Sequence, residues 1–323
     1  MKAEKFKNKI NNLSSKGIPF LFLIDFEMKQ PRVFTLDAAK KNKVFYDIQG
    51  FSNFTFKSKN NKISKLDLIP ISKKRYQKAF EIVKNNIGLG NSYLLNLTFP
   101  NKINTPDTLK DIFISARAPY KLLYKDKFTI FSPECFIKIK DNFVYSYPMK
   151  GTIDASIPNA GNIILKDKKE LNEHHTIVDL IRNDLSIISK NVTVVKFRYL
   201  DKIITNNKEL LQVSSEIRGK LPENWRKNLG DILLKLLPAG SVSGAPKKKT
   251  VEIIRKAENQ KRGYYTGIFG VFDGKNLNSA VNIRFIENKN ETMIYRSGGG
   301  ITSMSNLDSE YNEMLNKIYV PIS

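Results

Sequence analysis

Apolar positions recur along the chain at two spacings, and these set the first expectations. Over the first 70 residues short apolar runs (IPFLFLIDFE, KVFYDI, FSNFTF) alternate with Asn, Lys and Gly, which predicts strands joined by hairpins. In residues 72–87 the apolar positions Tyr76, Ala79, Phe80, Val83 and Ile87 fall three and four apart and stop before Gly88. That spacing predicts a helix with a glycine end, followed by the strand YLLNLTFP. Residues 121–152 read as strands again (KLLYKDKFTIF, CFIKIK, NFVYSYPM), broken at Pro133, Asp141-Asn142 and Pro148. The clearest helix covers 168–189, with Leu171, His175, Val178, Ile181 and Leu185 on one face. Strands at VTVVKF and LLQVSSEIRG follow, then a helix over 225–236, a glycine/serine turn in PAGSVSGAPKKK and the helix KTVEIIRKAE. The last 60 residues predict strands YYTGIFGVF, LNSAVNIRFI and TMIYRS, a glycine turn and a final helix from Leu307. No internal repeat and no low-complexity linker interrupts this order, so one continuous α+β domain over 1–323 is expected.

Composition narrows the class. With 323 residues, 41% of them hydrophobic, the chain can bury a full core, which excludes disordered and disulfide-stapled classes. The single cysteine, Cys135, cannot form an internal disulfide, and MKAEKFKNKI lacks the apolar core of a signal peptide. The apolar stretch 18–24 is seven residues long, far short of the roughly 20 a membrane span needs. A reducing, cytoplasmic setting without a membrane span is therefore expected. The formal charge of +23 raises nucleic acid and anionic membranes as partners, but the lysines are scattered through nearly every segment and outnumber arginine. This reads as a basic solvated surface that attracts small anions, with neither nucleic acid nor membrane as a partner.

Candidate chemistry lies in a few places. Glu170 and Glu173, and again Glu310 and Glu313, stand three apart on predicted helices, so each helix presents two carboxylates from one face. Four such groups suit a hard divalent cation such as Mg²⁺, and equally a solvated face on a lysine-rich surface. His174 and His175 are adjacent, about 100° apart on a helix, and cannot clamp a metal; they read as core or surface residues. Gly298, Gly299 and Gly300 sit before a predicted helix whose start carries Ser303, Ser305 and Asn306, a plausible backbone cradle for an anion or simply a tight turn. GSVSGAPKKK lacks the spacing of a triphosphate loop. Lys150, in YPMKGT at a strand-to-turn junction with an apolar wall, is placed to lose its proton and act as a nucleophile. Glu134 in FSPECF is either a general acid raised by desolvation or a solvated strand-end carboxylate.

Taken together, the motifs resemble the chorismate-utilising enzymes. The matching segments are SPE (132–134), PMKGT (148–152), NEHHTIVDLIRND (172–184), GSVSGAPK (240–247), RGYYTG (262–267), AVNIRF (280–285) and GGGITSMSNLDSEYNEMLNK (298–317), in the family's order. Residues 1–70 look like a shortened, variable front part, and 71–323 like the catalytic part. The resemblance implies an α+β fold of two stacked antiparallel sheets with helices outside. It also implies Mg²⁺-dependent binding of chorismate, with Glu173 and Glu313 as metal ligands and Glu170 and Glu310 acting through water. Arg284 matches the arginine that pairs with the enolpyruvyl carboxylate, and Tyr265 the tyrosine nearby. Ser241, Gly151, Thr152 and the amides of Gly298, Gly299 and Gly300 match substrate contacts.

Within the family, Lys150 in the P-x-x-G-T segment looks like aminodeoxychorismate synthase component I, since anthranilate synthases usually carry alanine there. The implied reaction joins chorismate and ammonia into 4-amino-4-deoxychorismate, for 4-aminobenzoate and folate synthesis, with Lys150 as nucleophile and Glu134 as general acid. Anthranilate synthase component I is the alternative within the family, and a non-catalytic basic binding protein the alternative outside it. Two positions depart from the pattern: Leu94 stands where isochorismate synthases place a lysine and amino-transferring members a glutamine, and Gln212 where the family usually has histidine. Cys135 lies beside Glu134 and there is no chain for a fused amidotransferase, so ammonia is expected from a separate glutamine amidotransferase subunit.

Overall fold

The computed structural model describes residues 1–56, 63–204 and 209–322. Among these residues the strands form two nine-stranded sheets, and every strand pair is antiparallel. In the first sheet Glu209–Lys220 has Lys190–Ile204 on one edge, while Phe143–Ser146 and Met149–Asp154 lie end to end on the other. The sheet continues through Cys135–Lys140, Leu277–Val281, Ile268–Phe272, Phe20–Ile24 and Arg32–Thr35. In the second, the long strand Leu94–Asn104 pairs with Thr292–Ile301, beyond which come Phe285–Lys289, Phe128–Ser132, Tyr120–Tyr124, Val44–Ile48 and Phe51–Ser52. Gly244–Ala245 and Asp67–Ile69 hold the two ends of the other edge of Leu94–Asn104.

The sheets meet face to face. Leu21, Leu23, Phe269, Val271 and Ala280 of the first interdigitate with Val44, Tyr46, Leu122, Ile130 and Phe285 of the second. Because successive strand residues point to opposite faces, Phe20, Phe22 and Ile24 turn the other way, into a core shared with the helices Ala3–Ser15, Lys168–Ser186 and Leu229–Lys235. This strand is buried on both faces, which is why it reads FLFLI with no polar alternation. Helices Lys73–Gly88, Lys247–Glu258 and Leu307–Asn316 cover the second sheet through Tyr76, Phe80, Ile253 and Met314. The helices that carry the glutamate pairs both start at a side-chain cap: Asp167 accepts from the Glu170 amide, and Asn306 from the amides of Asp308 and Ser309. No helix of the described residues is long and apolar enough to cross a membrane.

The two-sheet α+β arrangement matches the expected fold, with four local corrections. The front part is not all strand: Ala3–Ser15 and Leu36–Lys41 are helices. The first hides its signal, Phe6, Ile10 and Ser14 at spacings of four, among lysines and asparagines, and gains its stability by packing on the Leu229–Lys235 helix. LNSAVNIRFI is two strands, broken at 282–284 where the backbone leaves sheet geometry and Arg284 takes φ 51°. The glycine run is not a turn but part of the strand Thr292–Ile301, with Gly298, Gly299 and Gly300 opposite Thr98, Leu97 and Asn96. PAGSVSGAPKKK, expected as a turn, holds the short helix Gly240–Ser243 and the strand Gly244–Ala245.

One buried ion pair ties these layers together. Arg262 and Glu258 are almost wholly inaccessible, and the guanidinium donates to Glu258 through Nε at 3.0 Å and again through a terminal nitrogen. It also donates to the carbonyls of Val242 (2.8 Å) and Asn96 (2.6 Å), while Glu258 accepts from the amide and hydroxyl of Thr98. Removing one partner of such a pair leaves an uncompensated buried charge, so Arg262→Leu is expected to cost about 3–5 kcal/mol. Replacing both residues by leucine should cost less than the sum of the single changes, as measured by denaturant unfolding. Additive losses would show that the pair is not coupled.

Candidate active site

A cavity of about 720 Å³ opens between the edge of the second sheet, the Lys168–Ser186 helix and the 240–245 segment, a size suited to a small organic ligand. Glu134, Lys150, Glu173, Ser241, Tyr265 and Arg284 line it, as do the three glycines 298–300. Glu170, Glu310, Glu313, Gly151 and Thr152 are not in its wall. Thr152 is exposed, paired across the ladder with Gln212. Leu94 and Gln212, the two departures from the family pattern, both face the cavity.

Glu134 sits in the break between Phe128–Ser132 and Cys135–Lys140, where its amide is held by Ser132 Oγ at 3.1 Å. Its carboxylate accepts a short hydrogen bond from Ser241 Oγ. Burial pushes the Glu134 pKa up, and Ser241, Lys317 and Arg284 only partly offset it. The outcome is a carboxyl that keeps its proton above the usual range, the state a general acid needs.

Lys150 is placed by a bulge. The register of Met149–Asp154 against Glu209–Lys220 shifts between Met149 and Thr152, and Gly151 within it has φ 85°. The backbone there requires glycine, and a Cβ would also stand 2.9 Å from Glu170 Oε2, so that the glutamate side chain would have to move aside. The Lys150 ammonium pairs with Glu173 at 2.8 Å. Here the expectation of an easily deprotonated lysine is corrected. Burial works against the charge, but Glu173 beside it, with Glu313 and Glu170 farther out, outweighs burial and raises the pKa.

The glycine strand has a second role that the sequence hid. Its far edge pairs with Phe285–Lys289 only as far as Arg296, so beyond that point it is open toward the cavity. A Cβ on Gly299 would stand 3.4 Å from Glu310 Oε2 and 3.7 Å from Glu313 Oε1. These are ordinary contact distances, which place the carboxylates of the last helix beside the strand; the position that needs a glycine is Gly298, where a Cβ would stand 2.4 Å from the Leu97 carbonyl oxygen of the neighbouring strand. Lys317 joins the carboxylates there, pairing with Glu313 at 2.7 Å and donating to the Gly298 carbonyl at 3.2 Å. Lys317 is a wall residue that sequence reasoning missed; its signal was the i,i+4 spacing from Glu313. Arg296, also in the wall, is neutralised by Glu287 at 2.6 Å.

Among the described residues no three His, Cys, Asp or Glu side chains stand close enough to share a metal ion. The donor chemistry nevertheless suits a hard cation: the candidate ligands are all carboxylates, and Glu173 and Glu313 each already hold an ammonium group. His174 is a core residue, fully buried and bonded through Nε2 to Ser215 Oγ at 2.7 Å, while His175 is exposed. The buried face of this helix therefore carries His174 in place of the expected His175.

The two-sheet fold thus carries a cavity of small-ligand size at the sheet edge, with an acid, a lysine, an arginine and three glycines in its wall. Residues 25–323 match the chorismate binding enzyme family, and the chain belongs to it. The chain is 51% identical over 323 residues to an uncharacterized PabA-like protein of Pasteurella multocida (strain Pm70), covering all of both. It is 50% identical over 319 residues to an uncharacterized PabA-like protein of Haemophilus influenzae (strain ATCC 51907 / DSM 11121 / KW20 / Rd), covering 99% of this chain and 97% of that one. The crystal structure of anthranilate synthase component I from Streptococcus pneumoniae TIGR4 matches with a TM-score of 0.69 and 26% identity, over 80% of this chain and 60% of that one.

His174 yields a stability prediction. Burial, with Arg198 nearby, holds its pKa down to about 4, against 6.5 for an unperturbed histidine. The unfolded chain therefore binds a proton that the folded chain refuses, and stability is lost as pH falls from 6.5 toward 4. Melting temperature should drop over that window by more in the native protein than in His174→Gln, which has no proton to take up. Parallel curves for the two proteins would refute the assignment.

Proposed function

We propose that this chain is the chorismate-binding component of aminodeoxychorismate synthase, which replaces the C4 hydroxyl of chorismate with an amino group on the route to 4-aminobenzoate and folate. The observation that carries the reading is that Lys150 and Glu134 line one cavity with opposite chemical roles open to them. The PabA-like names of the two relatives point the same way.

The residues act as follows. Arg284, Tyr265 and Ser241 hold the substrate, and the open edge of the glycine strand faces it. Lys150, once it gives up its proton, attacks C2 of the ring. The ring double bond shifts, the C4–O bond breaks and Glu134 supplies the proton, so that water leaves. Ammonia then bonds to C4, the double bond returns, the C2–N bond breaks and Lys150 leaves as a free amine. The proton shed by the new amino group returns to Glu134, which restores the acid. Glu173 and Glu313 would hold Mg²⁺ directly, and Glu170 and Glu310 through water. Bound there, the cation supplies positive charge against the ring carboxylate. Leu94 offers no group to activate water, which favours ammonia as the incoming nucleophile. Ammonia comes from a separate glutamine amidotransferase subunit.

The test is product identity. Purified protein is incubated with chorismate, Mg²⁺ and ammonium at alkaline pH, where both Lys150 and ammonium more readily lose a proton. The expected product has the mass of 4-amino-4-deoxychorismate and is converted by added aminodeoxychorismate lyase to 4-aminobenzoate. Anthranilate as product would overturn the role of Lys150. Absence of any product, even with a glutaminase component and glutamine, would overturn the amination reading.

A further inference from the structure

Among the described residues five cations line the cavity, and their partners separate them. Lys150 is paired with Glu173, Lys317 with Glu313 and Arg296 with Glu287, while Lys168 is exposed to solvent. Arg284 is different: it is half-buried, and among the described residues it has no carboxylate partner within salt-bridge distance. A half-buried guanidinium facing a cavity without a counter-charge is a ready anchor for an anion.

What aims it is the segment after the last helix. The Tyr319 ring lies under the Arg284 guanidinium, 4.9 Å from its centroid. Although burial works against the charge, Tyr295, Tyr319 and Tyr265 together keep Arg284 above its ordinary pKa, Tyr319 in part through a side-chain hydrogen bond. Tyr319 is itself pinned on both sides. Its carbonyl accepts from the hydroxyl of the fully buried Tyr295 at 2.8 Å, and two residues on the Pro321 carbonyl accepts from the Arg117 amide at 2.6 Å. The Arg284 backbone is fixed independently, in the left-handed region at φ 51° with its carbonyl accepting from the Phe131 amide. Backbone and side-chain head are therefore held by different parts of the chain, and Tyr319 supplies the second hold.

We infer that Tyr319 is a positioning residue, which stacks on Arg284 and keeps it aimed into the cavity as the anchor for the second carboxylate of a dicarboxylate substrate. The inference rests on the reading that the cavity takes chorismate, and it concerns binding, whichever amino product forms. Its test is direct calorimetric binding of two ligands: chorismate, and a cyclohexadiene carboxylate that lacks the enolpyruvyl group. Tyr319→Leu should weaken chorismate binding about tenfold and the monocarboxylate by less than about twofold, while Tyr319→Phe, which keeps the ring and loses the hydroxyl, should fall between native and Tyr319→Leu for chorismate and stay within about twofold for the monocarboxylate. In turnover, Tyr319→Leu should raise KM with kcat nearly unchanged. Equal weakening of both ligands, or undiminished chorismate binding in Tyr319→Leu, overturns the inference. The product assay is blind to this ratio, so failure of the amination reading would appear separately. Native protein that binds no chorismate would sink both.

Discussion

The site depends on a charge that never meets water. Arg262 is fully buried with Glu258 as its counter-ion, and the carbonyls it grips belong to Val242, one residue past Ser241, and to Asn96, two residues past Leu94. A buried guanidinium is tolerable only when nearly all its donors are satisfied. The need to satisfy them thus fixes the 240–245 segment against the start of the long strand. Ser241 is then held where its hydroxyl meets Glu134, and Leu94 where its side chain closes over the glycine strand.

Around that fixed corner the cavity keeps its charges in balance. Carboxylates from two helices meet ammonium groups from a strand and from the end of the last helix, Glu173 with Lys150 and Glu313 with Lys317. Glu134 stands apart from these pairs, and burial shifts it toward its neutral form, whereas the carboxylate partner of Lys150 shifts the lysine toward its charged form. Both shifts favour the protonated form of the two groups to which proton donation and attack are assigned in the proposed reaction. The proposed attack requires Lys150 to be released from Glu173, and a divalent cation taken up by the same carboxylate would weaken the hold that raises the lysine's pKa.

Much of this was legible in the chain. The seven motif segments carry Glu134, Lys150, Ser241, Tyr265 and Arg284 to one cavity although they lie up to 150 residues apart, because antiparallel pairing brings distant segments side by side. Periodicity found the outer helices of the second sheet, where an apolar stripe meets a polar face. It missed Ala3–Ser15, whose three buried positions are diluted by solvated lysines and asparagines. It also chose the wrong histidine on the Lys168–Ser186 helix, since spacing alone does not tell which neighbour meets Ser215. The glycine run was misread for a physical reason: a missing side chain signals close approach as well as a turn, and here the approach is that of the neighbouring strand at Leu97 and Thr98 against Gly298. The protonation of Lys150 was beyond the sequence altogether, because it is set by carboxylates from two other helices.

The central claim is that Lys150 is the nucleophile. The most direct measurement is the intact mass of the protein after incubation with chorismate and Mg²⁺ in the absence of ammonia, followed by peptide mapping, for the native protein and for Lys150→Ala. The account predicts a covalent adduct of chorismate less one water, located on Lys150, released when ammonium is added and absent from the variant. Undiminished turnover by Lys150→Ala, with no adduct on the native protein, would contradict it.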